Sequence, residues 1–248
     1  MKKIREPVVS GQFYPSDKSA LQATIAKLVG KGKFEKVECI GVISPHAGYP
    51  YSGAVAAAVF ANIKINDTVV LLGPNHTGGG KPFSIELSGT WRLPLGDVEI
   101  DEEVAGSILK KSLFLKEDKF AGLYEHSLEV QIPIIQYFRK DFKIVPIVIS
   151  HGAYDTLKSI GTQLAGALKN LKRKILIVAS SDMTHYEPEE AASKKDKMAI
   201  DKILKMDALG LYETAEKFGI SMCGLAPVAV MLNAAKELGA ASSKLIEY

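Results

Sequence analysis

Apolar residues along this chain follow two alternating rhythms. Short β-branched and aliphatic runs, bounded by Gly, Pro, Asn and Asp, read as buried strands at 39–44, 68–73, 143–149 and 174–180. Between them, apolar positions recur at helical spacing. They predict helices over 16–29 (capped by Ser16 or Asp17), 52–62, 125–138, 154–170, 188–205, 207–218 and 226–238, and one that Asp101 caps and that runs to about Lys111. In 125–138, Leu128, Ile132 and Ile135 form the core stripe, and Pro133 is expected to kink the helix by removing one backbone bond. Residues 82–100 alternate in short pieces split by Gly and Pro, the signature of a β-hairpin insertion turning at Gly89-Thr90; 244–248 reads as a strand beginning. Strands alternating with helices imply an α/β fold with a largely parallel central sheet flanked by helices, and no linker or repeat divides it, so 1–248 reads as a single domain.

Composition narrows the classes. At 248 residues and 47% hydrophobic, the chain can bury one sizeable core. A net charge of +3, spread over mixed Lys/Glu segments, argues against nucleic acid or anionic lipid as partner. No stretch reaches the roughly 18 apolar residues of a membrane span, so no membrane role is expected. The start, Met1 to Pro7, has no apolar run behind it and does not read as a secretory signal. Two cysteines, Cys39 and Cys223, do not make a disulfide scaffold, which predicts a reduced, cytoplasmic protein.

The candidate chemistry lies where strands end. His46, His76, His151 and His185 each follow a predicted strand closely. In an open α/β sheet, loops leaving the carboxyl ends of parallel strands share one edge, where ligands bind. His46 lies in Ser44-Pro45-His46-Ala47-Gly48-Tyr49, and reads either as a site residue or as a capping or core histidine. His76 lies in Gly73-Pro74-Asn75-His76-Thr77-Gly78-Gly79-Gly80. That loop is no phosphate cradle, because Lys81-Pro82 follows where a P-loop needs Lys and Ser/Thr, and proline offers no N–H. Asp182 and His185, three apart, suit an acid/base pair in which the carboxylate orients the imidazole; Asp182 capping a turn with His185 on the surface is the bland alternative. Cys223 precedes a helix start, which favours a thiolate; a buried inert thiol is the alternative. His126 and Glu129, at i,i+3, either line a pocket together or form a surface ion pair. His151 has bland surroundings and reads as structural. Two imidazoles and a thiolate on three loops can bind zinc, iron or copper.

Taken in order, these motifs resemble one family. Arg5-Glu6-Pro7, Gly11 to Pro15, the His46 and His76 loops, Glu125-His126-Ser127-Leu128-Glu129-Val130-Gln131, Ser180-Ser181-Asp182 with His185, and Cys223-Gly224 resemble the Memo-like family, whose prokaryotic members are called AmmeMemoRadiSam system protein B. The resemblance runs from Arg5 to Tyr248. It implies a fold similar to the LigB-type class III extradiol dioxygenases, which are non-haem iron enzymes. It implies His46, His76 and Cys223 as metal ligands, His185 as the acid/base with Asp182 beside it, and Phe13, Tyr51 and His126 as pocket walls. It implies Fe(II), with copper or zinc as alternatives, and AMMECR-type and radical-SAM proteins as partners. Ring-cleaving relatives use a carboxylate where Cys223 stands, so ring cleavage itself is not implied. Members of the family usually continue past the position of Tyr248, which implies further C-terminal structure at a sheet edge.

Two functions fit this pattern. One is a metal-dependent oxidoreductase in which His185 shuttles a proton. The other is a non-catalytic adaptor that holds a peptide or small ligand in the same cleft, with metal bound for redox protection. A third arrangement, a Cys223 nucleophile activated by His185, requires a sulfur–imidazole hydrogen bond and an oxyanion hole.

Overall fold

Apolar runs too short for helices pair side by side at the centre of the molecule. The computed structural model describes residues 3–32 and 34–248; Met1, Lys2 and Lys33, and with them the very start of the segment read against a secretory signal, lie outside the described residues. In chain order the elements are β1 (Ile4–Arg5), α1 (Lys18–Val29), β2 (Gly41–Ser44), α2 (Tyr49–Ala61), β3 (Thr68–Gly73), β4 (Phe83–Ile85), β5 (Thr90–Leu93), β6 (Gly96–Glu99), α3 (Glu102–Lys111), β7 (Lys116–Glu117), α4 (Phe120–Leu123), α5 (His126–Glu129), α6 (Gln131–Phe138), β8 (Lys143–Ile149), α7 (Tyr154–Asn170), β9 (Leu176–Ser180), α8 (Glu189–Leu204), α9 (Ala208–Phe218) and α10 (Leu225–Glu237). Six strands form the main sheet in the order β2-β9-β3-β8-β4-β7. All its pairings are parallel except β4 with β8, which is antiparallel. Every residue of β3 and β9 is buried, as is β8 beyond Lys143, which is the burial expected of parallel strands covered on both faces. The expected α/β architecture with a largely parallel sheet flanked by helices is the one observed.

Three expectations change. Residues 82–100 do not form one insertion: β4 joins the main sheet, whereas β5 and β6 pair with each other and β5 with β1 in a separate three-stranded sheet. The hairpin turn falls between Leu93 and Gly96, and Gly89-Thr90 instead leads from one sheet to the other. The helix expected over 125–138 is broken at Val130 rather than kinked at Pro133. A proline ring clashes with the carbonyl four residues back, here that of Glu129, so the break falls there, and Pro133 occupies the first turn of α6, where its missing N–H costs nothing. Residues 244–248 form no strand; Tyr248 Oη instead donates to Asp196 Oδ2 at 2.9 Å.

No helix among the described residues is long and apolar enough to cross a membrane. The parallel strands β2, β3, β8 and β9 end at one edge. His46 lies two residues past β2, His76 three past β3, and Asp182 two past β9, so the β2-β9-β3 portion of that edge carries the candidate chemistry.

Candidate metal centre

His46 is 2% exposed, and its ring meets that of His76 edge-on with centroids 5.1 Å apart. His76 stacks on His126 at 4.7 Å, and the Phe13 ring meets His126 at a tilt, 4.9 Å away. The Cys223 sulfur lies 3.2 Å from His46 Nε2 and accepts the Asp182 backbone N–H at 3.3 Å. One ligand atom from each of His46, His76 and Cys223 lies within 4.8 Å of the others. In a tetrahedral site with bonds of roughly 2.0–2.3 Å, donor atoms stand about 3.3–3.8 Å apart, so the His46–Cys223 edge is already close to that span and the third donor needs only a small closure.

Cys223 reaches this point because Gly224 lets the start of α10 approach β9. A Cβ on Gly224 would lie 2.3 Å from Ser181 Cβ and 2.4 Å from the Ser180 carbonyl oxygen, and the Gly224 N–H donates to Ser181 Oγ at 3.0 Å.

Carboxylates anchor both histidine loops. Glu125, fully buried, accepts the His76 backbone N–H at 2.7 Å, His76 Nδ1–H at 2.9 Å and the Ser127 N–H at 3.0 Å. A carboxylate holding Nδ1 in this way turns Nε2 toward the cleft, the usual support for a metal-binding histidine. Glu125 is not among the residues the sequence motifs mark as site candidates; the signal for its role is its position one residue before α5, where its side chain caps that turn. Asp182 Oδ1 accepts the backbone N–H groups of His46 at 2.7 Å and Ala47 at 3.2 Å, and its Oδ2 lies 3.8 Å from His46 Nε2.

These contacts set the electrostatics. Burial pushes the His46 imidazole down to about 4, with the neighbouring His76 and His126 acting the same way. The Cys223 sulfur and the Glu125 carboxylate push His76 up to about 10. Burial also lowers His126. For Glu125, burial acts upward but is outweighed by the His76 and Ser127 hydrogen bonds, which hold it down at about 2.

The remaining sequence candidates are placed differently. His185 Nδ1 faces the Ser221 carbonyl at 3.0 Å, and its backbone N–H donates to Ser221 Oγ at 2.7 Å. A carbonyl only accepts, so Nδ1 carries a proton; Ser221, not Asp182, orients this ring. One ligand atom from each of His185, Asp182 and Cys223 nevertheless falls within 4.8 Å of the others. The imidazoles that engage the Cys223 sulfur are those of His46, at 3.2 Å, and His76, which departs from the His185-activated nucleophile. Tyr51 is 88% exposed at the start of α2. Glu129 does not reach the cleft: it is fully buried, with its carboxylate bonded to Arg5, the Val8 and Val9 N–H groups and Tyr14 Oη. His126 and Glu129 therefore do not share a pocket wall, because the turn containing them points one outward and the other inward. His151 lies apart, stacked 6.1 Å from Tyr212.

Comparison with known proteins identifies the family. The family model described as Memo-like protein matches residues 5–248. A MEMO1 family protein of Aquifex aeolicus is 44% identical over 99% of this chain and 91% of its own length. Those of Pyrobaculum aerophilum and Methanocaldococcus jannaschii are each 43% identical, over 99% and 100% of this chain and 92% of their own lengths. An uncharacterized protein of Escherichia coli K12, known from its crystal structure, shares the fold with a TM-score of 0.53 at 13% identity, over 78% of this chain and 88% of that one. Matching over nearly its whole length, at identities far above those of fold likeness alone, the chain belongs to the Memo-like family.

Proposed function

We propose that the protein binds a redox-capable divalent metal, Fe(II) foremost with copper or zinc as alternatives, on His46, His76 and Cys223, and uses it as an oxidoreductase acting on a small molecule. The observation that carries this reading is the convergence of the three donors from three separate loops within 4.8 Å, with the Nδ1 atom of each histidine engaged elsewhere so that both Nε2 atoms are left for the cleft. Once a metal displaces the proton that Cys223 and Glu125 hold on His76, two imidazoles and a thiolate form a donor set suited to Fe(II), Cu or Zn. When bound, the metal supplies Lewis acidity and, if iron or copper, one-electron chemistry.

The protein's own groups do the rest. His185 holds a proton at Nδ1 against the Ser221 carbonyl, which leaves Nε2 as the ring atom for proton transfer at the cleft. Asp182 fixes the His46 loop through two backbone N–H groups and adds negative charge beside His185 and Cys223. Phe13 packs on His126, which stacks on His76, giving the cleft an aromatic wall. A second reading, non-catalytic capture of a peptide or ligand with metal held for redox protection, draws support from the exposed rings of Tyr51 and Tyr186 beside the His46 and His185 loops.

Anaerobic purification followed by metal analysis tests the proposal. Stoichiometric metal is expected in the wild type and loss of it in His46→Ala and Cys223→Ala. No metal above background, or the same content in the variants, overturns it. Metal retained without any O₂ consumption across a panel of reducing substrates favours the adaptor.

A further inference from the structure

Beneath the histidines lies a layer of buried polar side chains that metal ligation by itself does not require. Ser44 on β2 pairs with Ser180 on β9, and Leu72 pairs with Ala179, so Ser44, Ser180 and Gly73 form a row across three adjacent strand ends. The turn of α5 and α6 lies over this row. A Cβ on Gly73 would come within 2.5 Å of Ser127 Oγ, so glycine is what lets α5 sit this close. Ser44, Ser127, Gln131 and Ser180 are all at most 1% exposed. Three of their atoms, Ser44 Oγ, Ser127 Oγ and Gln131 Oε1, have no hydrogen-bond partner among the described residues. Buried polar atoms without partners are costly and few in native structures, and a sequence keeps such local conflicts mostly at functional sites.

The hydrogens in this layer can be assigned from chemistry alone. Ser180 Oγ has three neighbours: the Ser127 carbonyl at 2.7 Å, the Gln131 amide at 2.8 Å and His46 Nδ1 at 2.8 Å. The same Gln131 amide atom lies 3.2 Å from the Ser44 carbonyl and 2.8 Å from the Pro45 carbonyl. Carbonyl oxygens only accept, so that atom is the NH₂ nitrogen, a donor only, and its two hydrogens are shared among the two carbonyls and Ser180 Oγ. The Ser127 carbonyl also only accepts, so it takes the single hydroxyl hydrogen of Ser180. What Ser180 Oγ has left to offer His46 is a lone pair.

We propose that Ser180 is a positioning residue, its hydroxyl aimed by Gln131 and the Ser127 carbonyl, that fixes His46 as the Nδ1–H tautomer and so commits Nε2 to the cleft. The deeper consequence is that the two histidines are prepared by different means. His76 is held by a carboxylate, whereas His46 is held by a neutral hydroxyl whose direction is itself set by an amide and a carbonyl. The inference rests on His46 being a metal ligand, but its first readout needs no metal.

Long-range ¹H–¹⁵N correlation spectra of the metal-free protein at neutral pH report which His46 nitrogen is protonated. The expected result is Nδ1 protonated and Nε2 bare in the wild type, with Nε2–H becoming the main tautomer in Ser180→Ala and a partial shift in Gln131→Leu, where the hydroxyl is free to turn. The second readout is Co(II) affinity, expected to fall about 10–100-fold in Ser180→Ala. A wild-type His46 protonated at Nε2 overturns the proposal, as does a Ser180→Ala protein with unchanged tautomer and unchanged Co(II) affinity. The wild-type spectrum decides the matter even if Ser180→Ala does not fold. Absence of Co(II) binding in the wild type overturns the metal reading and leaves the tautomer result standing.

Discussion

Replacing Glu129 by Gln separates a structural role from a role in the cleft. The carboxylate is buried and takes Arg5 Nη1 at 2.6 Å, Tyr14 Oη at 2.6 Å, the Val8 N–H at 2.9 Å and the Val9 N–H at 3.1 Å. Arg5 also donates to the carbonyls of Gly122 and Glu125 and lies 3.9 Å over the Trp91 ring. An amide in place of the carboxylate keeps the shape but turns one acceptor into a donor facing other donors, and leaves the Arg5 charge buried without its counter-ion. Removing one partner of a buried ion pair costs about 3–5 kcal/mol. That is a large part of the roughly 5–15 kcal/mol that holds a typical protein folded. The assay is urea unfolding of metal-free wild type and Glu129→Gln, with limited proteolysis of the N-terminal segment. The segment is expected to become protease-sensitive, and Phe13, which it carries onto His126, to lose its place. The control is Glu6→Gln, which breaks the Arg92 pair, 45% and 63% exposed, and is expected to change stability by less than about 1 kcal/mol. A Glu129→Gln protein within about 1 kcal/mol of wild type refutes the reasoning, since that is what an exposed pair contributes.

Two further outcomes follow from the metal-free centre. Glu125 titrates lower in the folded protein than in the unfolded chain, so its contribution is fully present above its ordinary range near 4.5 and is lost as pH falls through about 2. The loss is about 3 kcal/mol at most, it is expected to appear between urea curves at pH 5 and pH 2, and an equally steep acid dependence in Glu125→Gln counts against it. Gly224→Ala drives a methyl group into the Ser180 carbonyl and Ser181 Cβ; a stability loss of about 1–3 kcal/mol and displacement of Cys223 are expected. Normal stability together with normal Co(II) affinity in that variant contradicts the close approach of α10 to β9.

Periodicity carried the regular parts of the fold. The strands at 68–73 and 143–149 and the helix at 154–170 have the expected bounds, because each is long, uniformly apolar or strongly amphipathic, and bounded by turn residues. Asp17 and Asp101 act as the expected caps. Local rules failed where a neighbour decided the outcome. Residues 83–85 and 90–99 have the same alternating character, yet the first lies against β8 and the second against β1. Residues 244–248 have strand-forming composition and no partner strand among the described residues, and strand propensity acts only when there is a surface to pack on.

At the centre, the chain's own order of residues placed the chemistry at one sheet edge. His46, His76 and Asp182 each follow a strand, and parallel strands end together, so their convergence is legible in the sequence. Tertiary structure alone decided how each group is oriented. It made Glu129 an interior anchor and Glu125 the support of His76, although both are glutamates of the same short motif. It gave His185 to the Ser221 carbonyl rather than to Asp182, and His46 to Ser180. The reason is the range of the forces. Apolar periodicity is read within a few residues, whereas the choice among hydrogen-bond partners depends on distances of tenths of an ångström between groups 36 to 134 residues apart in sequence, and only the packed sheet sets those distances.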